Sequence, residues 1–265
     1  MKTEVITFAN NKGGSGKTTT CSNVAYCLAD KGKKVLMIDG DMQMNLSLSF
    51  LGEDEVLSLA QSDNNLYTAI LSEKDMSDTI IRTPYENLDL VPSSMLMSGI
   101  EEELFKKGGR EDVFEKVISE VRESGEYDYI VIDTPPTIGL WDRNVLHVTD
   151  HVVIPVEASP WGLFGLASMV SFIKEAEKKN PALGILGIVL TRVNVRKNYF
   201  RQTEEFLSDM KEIYVFDTVI RNDSMVEWAQ DNSKPVTAYR KNARSAEEYR
   251  ALTDEILLQL RRKTS

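Results

Sequence analysis

Cysteine is nearly absent from this 265-residue chain, which carries only Cys21 and Cys27. Six residues apart on one predicted helix, the two point about 240° apart around its axis and cannot bridge each other. A disulfide framework is excluded, and a reduced, cytoplasmic setting is expected. Histidine is as scarce, with only His147 and His151. Their i,i+4 spacing lacks a nearby third ligand, and Asp150-His151 opens a predicted strand, so no zinc site is expected. No apolar run approaches the ~18 residues of a membrane span, and MKTEVITFANNKGG turns polar too soon for a signal peptide. Fifteen Gly and eight Pro exclude collagen-like and low-complexity chains. Basic residues are outnumbered, 31 Lys and Arg against 41 Asp and Glu, giving a net charge of −10. Taken alone, that sum argues against a nucleic-acid partner.

The charge is segregated, however. Residues 1–190 hold 17 Lys and Arg against 29 Asp and Glu, while residues 191–265 hold 14 against 12. Thr191–Thr203 contains Arg192, Arg196, Lys197 and Arg201 with no acid, and Lys234–Arg244 contains Lys234, Arg240, Lys241 and Arg244 with none. The basic side of the molecule is C-terminal.

Short β-branched runs alternate with helical patterns along the whole chain. The predicted strands are Val5–Ala9, Val35–Ile38, Leu88–Val91, Tyr129–Ile132, His151–Pro155, Leu186–Leu190 and Tyr214–Phe216. Several are continuously apolar (YIVID, VVIPV, ILGIVL), as strands covered on both faces are. The predicted helices are Lys17–Asp30, Leu66–Leu71, Met95–Lys106, Glu111–Glu123, Leu163–Lys178, Phe200–Met210 and Ser245–Arg262. This alternation predicts an α/β fold, a mostly parallel twisted sheet with helices on both faces and right-handed crossovers. With no linker, repeat or low-complexity segment visible, residues 1–265 read as a single domain. Gly52–Asn87, polar and rich in Asp, Ser and Asn, is its variable surface region, either an ordinary excursion or a partner-facing insertion.

The chemistry concentrates where strand VITFA meets Asn10-Asn11-Lys12-Gly13-Gly14-Ser15-Gly16-Lys17-Thr18-Thr19-Thr20 and a helix follows. Glycines let successive N–H groups turn inward as an anion nest, and the new helix adds its positive N-terminal end. Lys17 can reach β/γ-phosphates, and the Thr18 hydroxyl can ligate Mg²⁺. The strict pattern G-x-x-x-x-G-K-[ST] needs Gly at position 11, where this chain has Asn. It has instead a Gly-Gly pair two residues on and an extra lysine, Lys12. Asp133 closes an apolar strand at its C-terminal edge, where open α/β sheets place ligands, and suits water-mediated Mg²⁺ contact or a buried ion pair.

NNKGGSGKTTT resembles the deviant Walker A motif of the ParA/MinD family of P-loop ATPases. VLMIDGDMQMN resembles the family's switch I segment, D-x-D-P-Q-x-N, with Met42 at the proline position, and YIVIDTPP resembles its Walker B and switch II segment. The similarity continues through VVIPVEASPWGLFGL and more loosely through 220–250. It is greatest to the ParA/Soj branch without an N-terminal helix-turn-helix. The resemblance implies a nucleotide site using Gly13, Gly14, Ser15, Gly16, Lys17, Thr18 and Thr19, with ATP and Mg²⁺ as ligands. It implies that Lys12 reaches across an ATP-dependent homodimer to the partner's nucleotide, and that Asp41 acts on the attacking water. Asp39 would support Mg²⁺ through water, although either aspartate could merely cap the following turn. Thr134-Pro135-Pro136 would sense the γ-phosphate. Arg192 and Asn194 would lie against adenine, with a plain polar loop as the alternative. Trp161 and Phe164 read as core or dimer-seam packing.

The basic stretches, with Arg196, Lys197, Arg201, Arg221, Lys234, Arg240, Lys241 and Arg244, form either a solvated face or a stripe for non-specific DNA phosphates. The resemblance favours the stripe, with a centromere-binding ParB-type protein as activator of slow hydrolysis and release. The chain would then be cytoplasmic, and nucleoid-associated when ATP-bound. A MinD-like membrane ATPase is the alternative, since Leu252, Ile256 and Leu260 repeat at i,i+4 ahead of Arg261, Arg262 and Lys263. That end lacks aromatic anchors, so no membrane partner is expected. An iron-protein reading fails because both cysteines lie in the first helix, and no motif suggests an amide-forming ligase.

Overall fold

The computed structural model describes residues 3–72, 76–159, 162–210 and 212–264, apart from the side chains of Phe164 and Thr264. Trp161, and the side chain of Phe164, therefore lie outside the described residues. Seven strands form one sheet: β1 Glu4–Phe8, β2 Val35–Asp39, β3 Ile81–Arg82, β4 Leu88–Val91, β5 Tyr129–Asp133, β6 His151–Glu157 and β7 Gly184–Thr191. Their spatial order is β3-β4-β2-β5-β1-β6-β7, and every pairing is parallel except β3 with β4.

The continuous apolar runs have a simple cause, because alternate side chains of each central strand enter opposite cores. In β2, Val35 and Met37 join one cluster while Leu36 and Ile38 join the other. In β5, Val131 faces the first and Ile130 and Ile132 the second. The first core is closed by helices α1 Lys17–Asp30 and α12 Arg244–Thr264, together with α2 Asn45–Leu48 and α3 Glu53–Gln61. The second is closed by α4 Leu66–Ser72, α5 Ile100–Lys106, α6 Val113–Glu123 and α7 Leu140–Val148. A third cluster lies where α8 Phe164–Ala176 and α9 Asn198–Ser208 cover β6 and β7. Two short helices, α10 Ser224–Asp231 and α11 Val236–Tyr239, sit beside α1 and α12. Asn23 of α1 fastens α11, its Oδ1 accepting from the Thr237 amide at 3.0 Å and hydroxyl at 2.9 Å.

Two sequence expectations need correction, and several short elements carry no sequence signal. Tyr214–Phe216 is not a strand: it meets β7 at one bridge, Ile188 to Val215, and then turns away. The cause is tertiary, because the Phe216 ring occupies the space of the missing Cβ of Gly187 and Tyr214 donates to Glu255 of α12. The segment from Met95 to Lys106 is a 3₁₀ turn over Met95–Gly99 followed by α5. Beyond α4, the one short helix expected at Leu66–Leu71, the described residues of the 52–87 region hold α3, a 3₁₀ turn at Met76–Thr79 and β3. Its α3 buries only Val56 and Ala60 behind an acidic first turn, too little apolar signal to read as a helix. The short α2, α10 and α11 were likewise absent from the prediction.

The apolar stripe of α12 faces inward, with Leu252, Ile256 and Leu260 buried against the first core. That end therefore offers no free apolar face of the kind a surface-lying membrane helix needs. Among the described residues no helix is long and apolar enough to cross a membrane. Cys21 and Cys27 are both buried and free.

Candidate functional site

The parallel register aligns the C-terminal ends of three strands, pairing Phe8 with Asp133 and Asp39 with Asp133. Above that edge lies a cleft of about 660 Å³. Gly13–Thr19 line one end of it, and residues 191–192, 220–223 and α10 line the other.

The loop before α1 is built as an anion cradle. Gly14 and Gly16 take φ of 75° and 83°, turning successive amides to one side. Gly16 is also pressed against Thr191, whose Oγ1 donates to the Ser15 carbonyl at 2.7 Å. The last residue of β7 thus clamps the loop that follows β1. Asn10 fixes the loop's start, its Nδ2 donating to the Pro155 carbonyl at 2.7 Å and its Oδ1 accepting from the Lys12 amide at 3.0 Å. Lys17 is buried at the cleft wall, and burial lowers its pKa even though Asp133, Asp41 and Asp142 pull the other way. Among the described residues its one acceptor is the Lys12 carbonyl, 3.4 Å away. A buried ammonium so thinly satisfied suits an incoming phosphate oxygen.

Thr18 Oγ1 donates to Asp133 Oδ2 at 2.6 Å, while Asp133 Oδ1 is buried without a partner, as is Ser15 Oγ. Burial and the neighbouring Asp39 push the Asp133 pKa well up, against the Thr18 hydrogen bond and the Lys17 charge. A hydroxyl, a carboxylate with a spare oxygen and inward amides are the donor set a Mg²⁺–phosphate pair requires, so the residues present fit it.

Asp39 and Asp41 divide differently from expectation. Asp39 is fully buried, with Oδ2 accepting from the Ser47 amide and hydroxyl at 2.8 and 2.7 Å and Oδ1 from the Asp41 amide at 3.2 Å. Burial nevertheless lifts its pKa to about 6. Both oxygens are committed to shaping the loop, the capping role its position also allowed, and Asp39, like Asp133, is fully buried and does not itself line the cleft. Asp41 does line it, and its Oδ1 accepts from the Gln43 amide at 3.0 Å. The Met44 amide donates to the Asp41 carbonyl at 3.0 Å, closing the turn around Met42 without a proline.

Lys12 points away from the cleft. Its Nζ donates to Glu157 Oε2 at 2.6 Å and Ser159 Oγ at 2.9 Å beyond the end of β6. Burial raises the Glu157 pKa, but the Lys12 hydrogen bond and charge outweigh it and hold the carboxyl below its usual range. Thr134 is held by the Phe8 carbonyl, and Pro136 lines the cleft.

At the far end, Arg192 lines the cleft with φ of 51°, and its guanidinium reaches toward the Gly14 carbonyl at 3.5 Å. Asn194 does not line it; its Oδ1 instead accepts from the Arg196 amide at 3.2 Å, capping the turn before α9. Ile220, Arg221, Asn222 and Asp223 occupy that wall, with Glu227, Gln230 and Tyr249. Arg221 donates through both its amide and Nε to Glu248, which also faces Arg244, and Arg244 donates to the Asn222 carbonyl. Arg221 is therefore part of the cleft wall, and Arg244 braces that wall from outside while remaining solvent-exposed. Arg196, Lys197, Arg201, Lys234, Arg240 and Lys241 are all solvent-exposed.

The AAA domain family profile matches residues 3–185. The sporulation initiation inhibitor protein Soj of Bacillus subtilis is 35% identical over 254 residues, covering 96% of this chain and 98% of Soj. The chain belongs to the AAA domain family, among its ParA/MinD-type partition ATPases. Solved structures agree. A putative plasmid partition protein from Borrelia burgdorferi B31 bound to AMPPNP superposes with a TM-score of 0.80 at 28% identity, covering 98% of this chain and 99% of that one. Cobyrinic acid a,c-diamide synthase from Mycobacterium smegmatis with bound ADP and magnesium gives 0.82 at 25%, covering 98% and 96%.

Within this ParA/MinD-type cleft, three contributors carried no sequence signal. Asn222 and Glu248 sit in segments whose spacing says nothing about the phosphate loop. Thr191 lay in the predicted base loop, yet its hydroxyl serves the phosphate loop instead.

Proposed function

We propose that this chain is a ParA-type ATPase that binds ATP with Mg²⁺, pairs with a second copy, holds non-specific DNA as that pair and lets go on hydrolysis. The observation that carries the reading is the Thr18–Asp133 pair with its buried spare carboxylate oxygen, set behind a cleft that the amide cradle and Asp41 line. Lys17 and the amides of residues 13–16 hold the phosphates, and Thr18 and Asp133 would hold the metal ion. The ion supplies charge neutralisation between the phosphate oxygens when bound. Asp41 orients or deprotonates water at the cleft's open side. Arg192 and Asn222 flank the base. Lys12 leaves Glu157 to reach the nucleotide of the second copy, adding positive charge where negative charge develops. The bound ADP and AMPPNP of the structural neighbours and the 35% identity to Soj support this reading. Residues 1–265 work as one unit in it, cytoplasmic and nucleoid-associated in the ATP state, with a ParB-type protein as activator.

Arg196, Lys197, Arg201, Lys234, Arg240 and Lys241 provide the DNA face, doubled by pairing. Contacts of this kind release counterions, so affinity falls steeply with salt. The MinD-like membrane alternative is weakened because Leu252, Ile256 and Leu260 are buried in the core. Binding to random-sequence duplex DNA across a salt series, with Mg²⁺ plus ATP, ADP or no nucleotide, tests the proposal. Retention with ATP alone, lost as salt rises, is the expected result. No binding in any nucleotide state at low salt overturns the DNA reading and leaves a nucleotide-switched ATPase with another cargo.

A further inference from the structure

One indole joins the two loops that meet at the phosphate end of the cleft. Trp141, the second residue of α7, is almost wholly buried, and its Nε1 donates to the Gly40 carbonyl at 3.2 Å. Gly40 lies between Asp39 and Asp41, and its own amide donates to the Asp133 carbonyl at 3.0 Å. Both backbone polar groups of Gly40 are thus held from outside the loop. The packing is close as well: a Cβ on Gly40 would stand 2.7 Å from the Asp133 carbonyl oxygen and 3.3 Å from the indole nitrogen. The Phe114 ring packs edge-on against the indole with 5.0 Å between centroids, fixing its plane.

The indole is in turn fixed to the loop after β5. Glu101 of α5 accepts the amides of Leu140 and Trp141, each at 3.0 Å, with its two carboxylate oxygens. Asp142 accepts the Gly139 amide at 3.0 Å and the Thr137 hydroxyl at 2.8 Å. The 134–139 loop, the start of α7 and the Gly40 peptide therefore move as one assembly or not at all.

We propose that Trp141 is a positioning residue for ATP hydrolysis, setting through the Gly40 carbonyl where the Asp41 carboxylate stands relative to the phosphate loop. The inference rests on the ATPase reading above and deepens it. Catalysis by a positioned group is sensitive to small displacements, with ~1 Å costing up to about 100-fold. Nucleotide affinity has a different source, the amide cradle and Lys17, which Trp141 does not touch.

Two replacements separate positioning from packing. Trp141→Phe keeps an aromatic ring and loses the donor; benzothienylalanine incorporated at position 141 keeps the bicyclic shape and replaces N–H by sulfur. Single-turnover hydrolysis and ATP affinity are measured for both, with the melting temperature as a control. The expected result is a fall in hydrolysis rate of about tenfold in each, with ATP affinity within about twofold of wild type. An unchanged rate in the benzothienyl protein, or a rate and an affinity that fall together, overturns the proposal. Should the Phe variant fail to fold, the benzothienyl protein decides alone. If the wild-type chain hydrolyses no ATP, the ATPase reading itself has failed. The link is then judged by the ¹⁵N-indole resonance of Trp141. A shift on adding Mg²⁺ with a non-hydrolysable ATP analogue, but not with Mg²⁺ and ADP, supports it, and an unmoved signal overturns it.

Discussion

At the phosphate end of the cleft the cradle is one unbroken run, Gly13–Thr19, shaped by backbone conformation, with Asp41 and Pro136 beside it. At the opposite end the lining comes from residues 191–192, 220–231 and Tyr249, and these are held by side chains of α12 that sit well outside the loop. Glu248 takes the Arg221 amide and guanidinium, and Glu255 takes the Tyr214 hydroxyl and the amides of Asp217 and Thr218. The first end can be recognised from a few adjacent letters because geometry, charge and ligand donors are encoded together. The second is assembled by stitches between positions 27 to 41 apart, and nothing in its own sequence announces it.

The two ends should fail differently. The largest effect is expected from Lys17→Ala, which removes the buried ammonium. Affinity for both ATP and inorganic tripolyphosphate should fall by ~100-fold, the loss of a charge-assisted contact in a desolvated site. Isothermal calorimetry with the two ligands checks it, and a loss confined to ATP would break the comparison. Next, Asp41→Ala should cut turnover by about 100-fold while leaving ATP affinity near wild type, read from single-turnover rates beside equilibrium binding.

Glu248→Gln acts at the other end, weakening the Arg221 contacts and leaving the phosphate loop untouched. ATP affinity should fall about tenfold and unfolding free energy by about 2 kcal/mol, with tripolyphosphate binding unchanged. A parallel loss of tripolyphosphate binding would show that the ends are not separable.

The smallest effect concerns pH. Burial, with Glu101 nearby, lifts the Asp142 pKa to about 7, against the Thr137 hydroxyl and Gly139 amide that favour its charged form. A raised carboxyl pKa means the folded chain holds more protons than the unfolded one between about pH 4 and 7, so stability declines as pH rises through that window. Asp142→Asn keeps an acceptor for Thr137 and Gly139 and removes the titration. The variant should lose less stability than wild type between pH 5 and 8, by about 1–2 kcal/mol in denaturant titrations, and parallel pH profiles would refute this assignment.

Much of the fold was legible because strands covered on both faces announce themselves as apolar runs, and six of the seven predicted strands are present. What escaped lacked a periodic signal. The helix α3 buries only two side chains, and β3 has two residues. Tyr214–Phe216 looks like a strand but is governed by Gly187 and Glu255, both distant in sequence. Asn194 and Asn222 make the same point for the site. Each follows an apolar segment with an arginine nearby, and only the tertiary contacts of Arg221 and Arg244 bring the latter to the cleft. Asp39 was legible at its strand end as a metal support or a cap of the following turn, but its burial and its hydrogen bonds to the 41–47 loop were not.

The segment that failed to become a strand has a use of its own. Along β7, Ile188 donates to the Tyr214 carbonyl, Phe216 to Ile188 and Ile220 to Leu190, so the outward backbone groups there are occupied by a stretch that presents no long ladder itself. On the opposite margin, β3 ends the sheet with only two residues running the other way. Among the described residues neither margin presents a long open ladder for another chain to extend. A protein proposed to crowd onto a polyanion at high local concentration is thereby guarded against edge-to-edge aggregation.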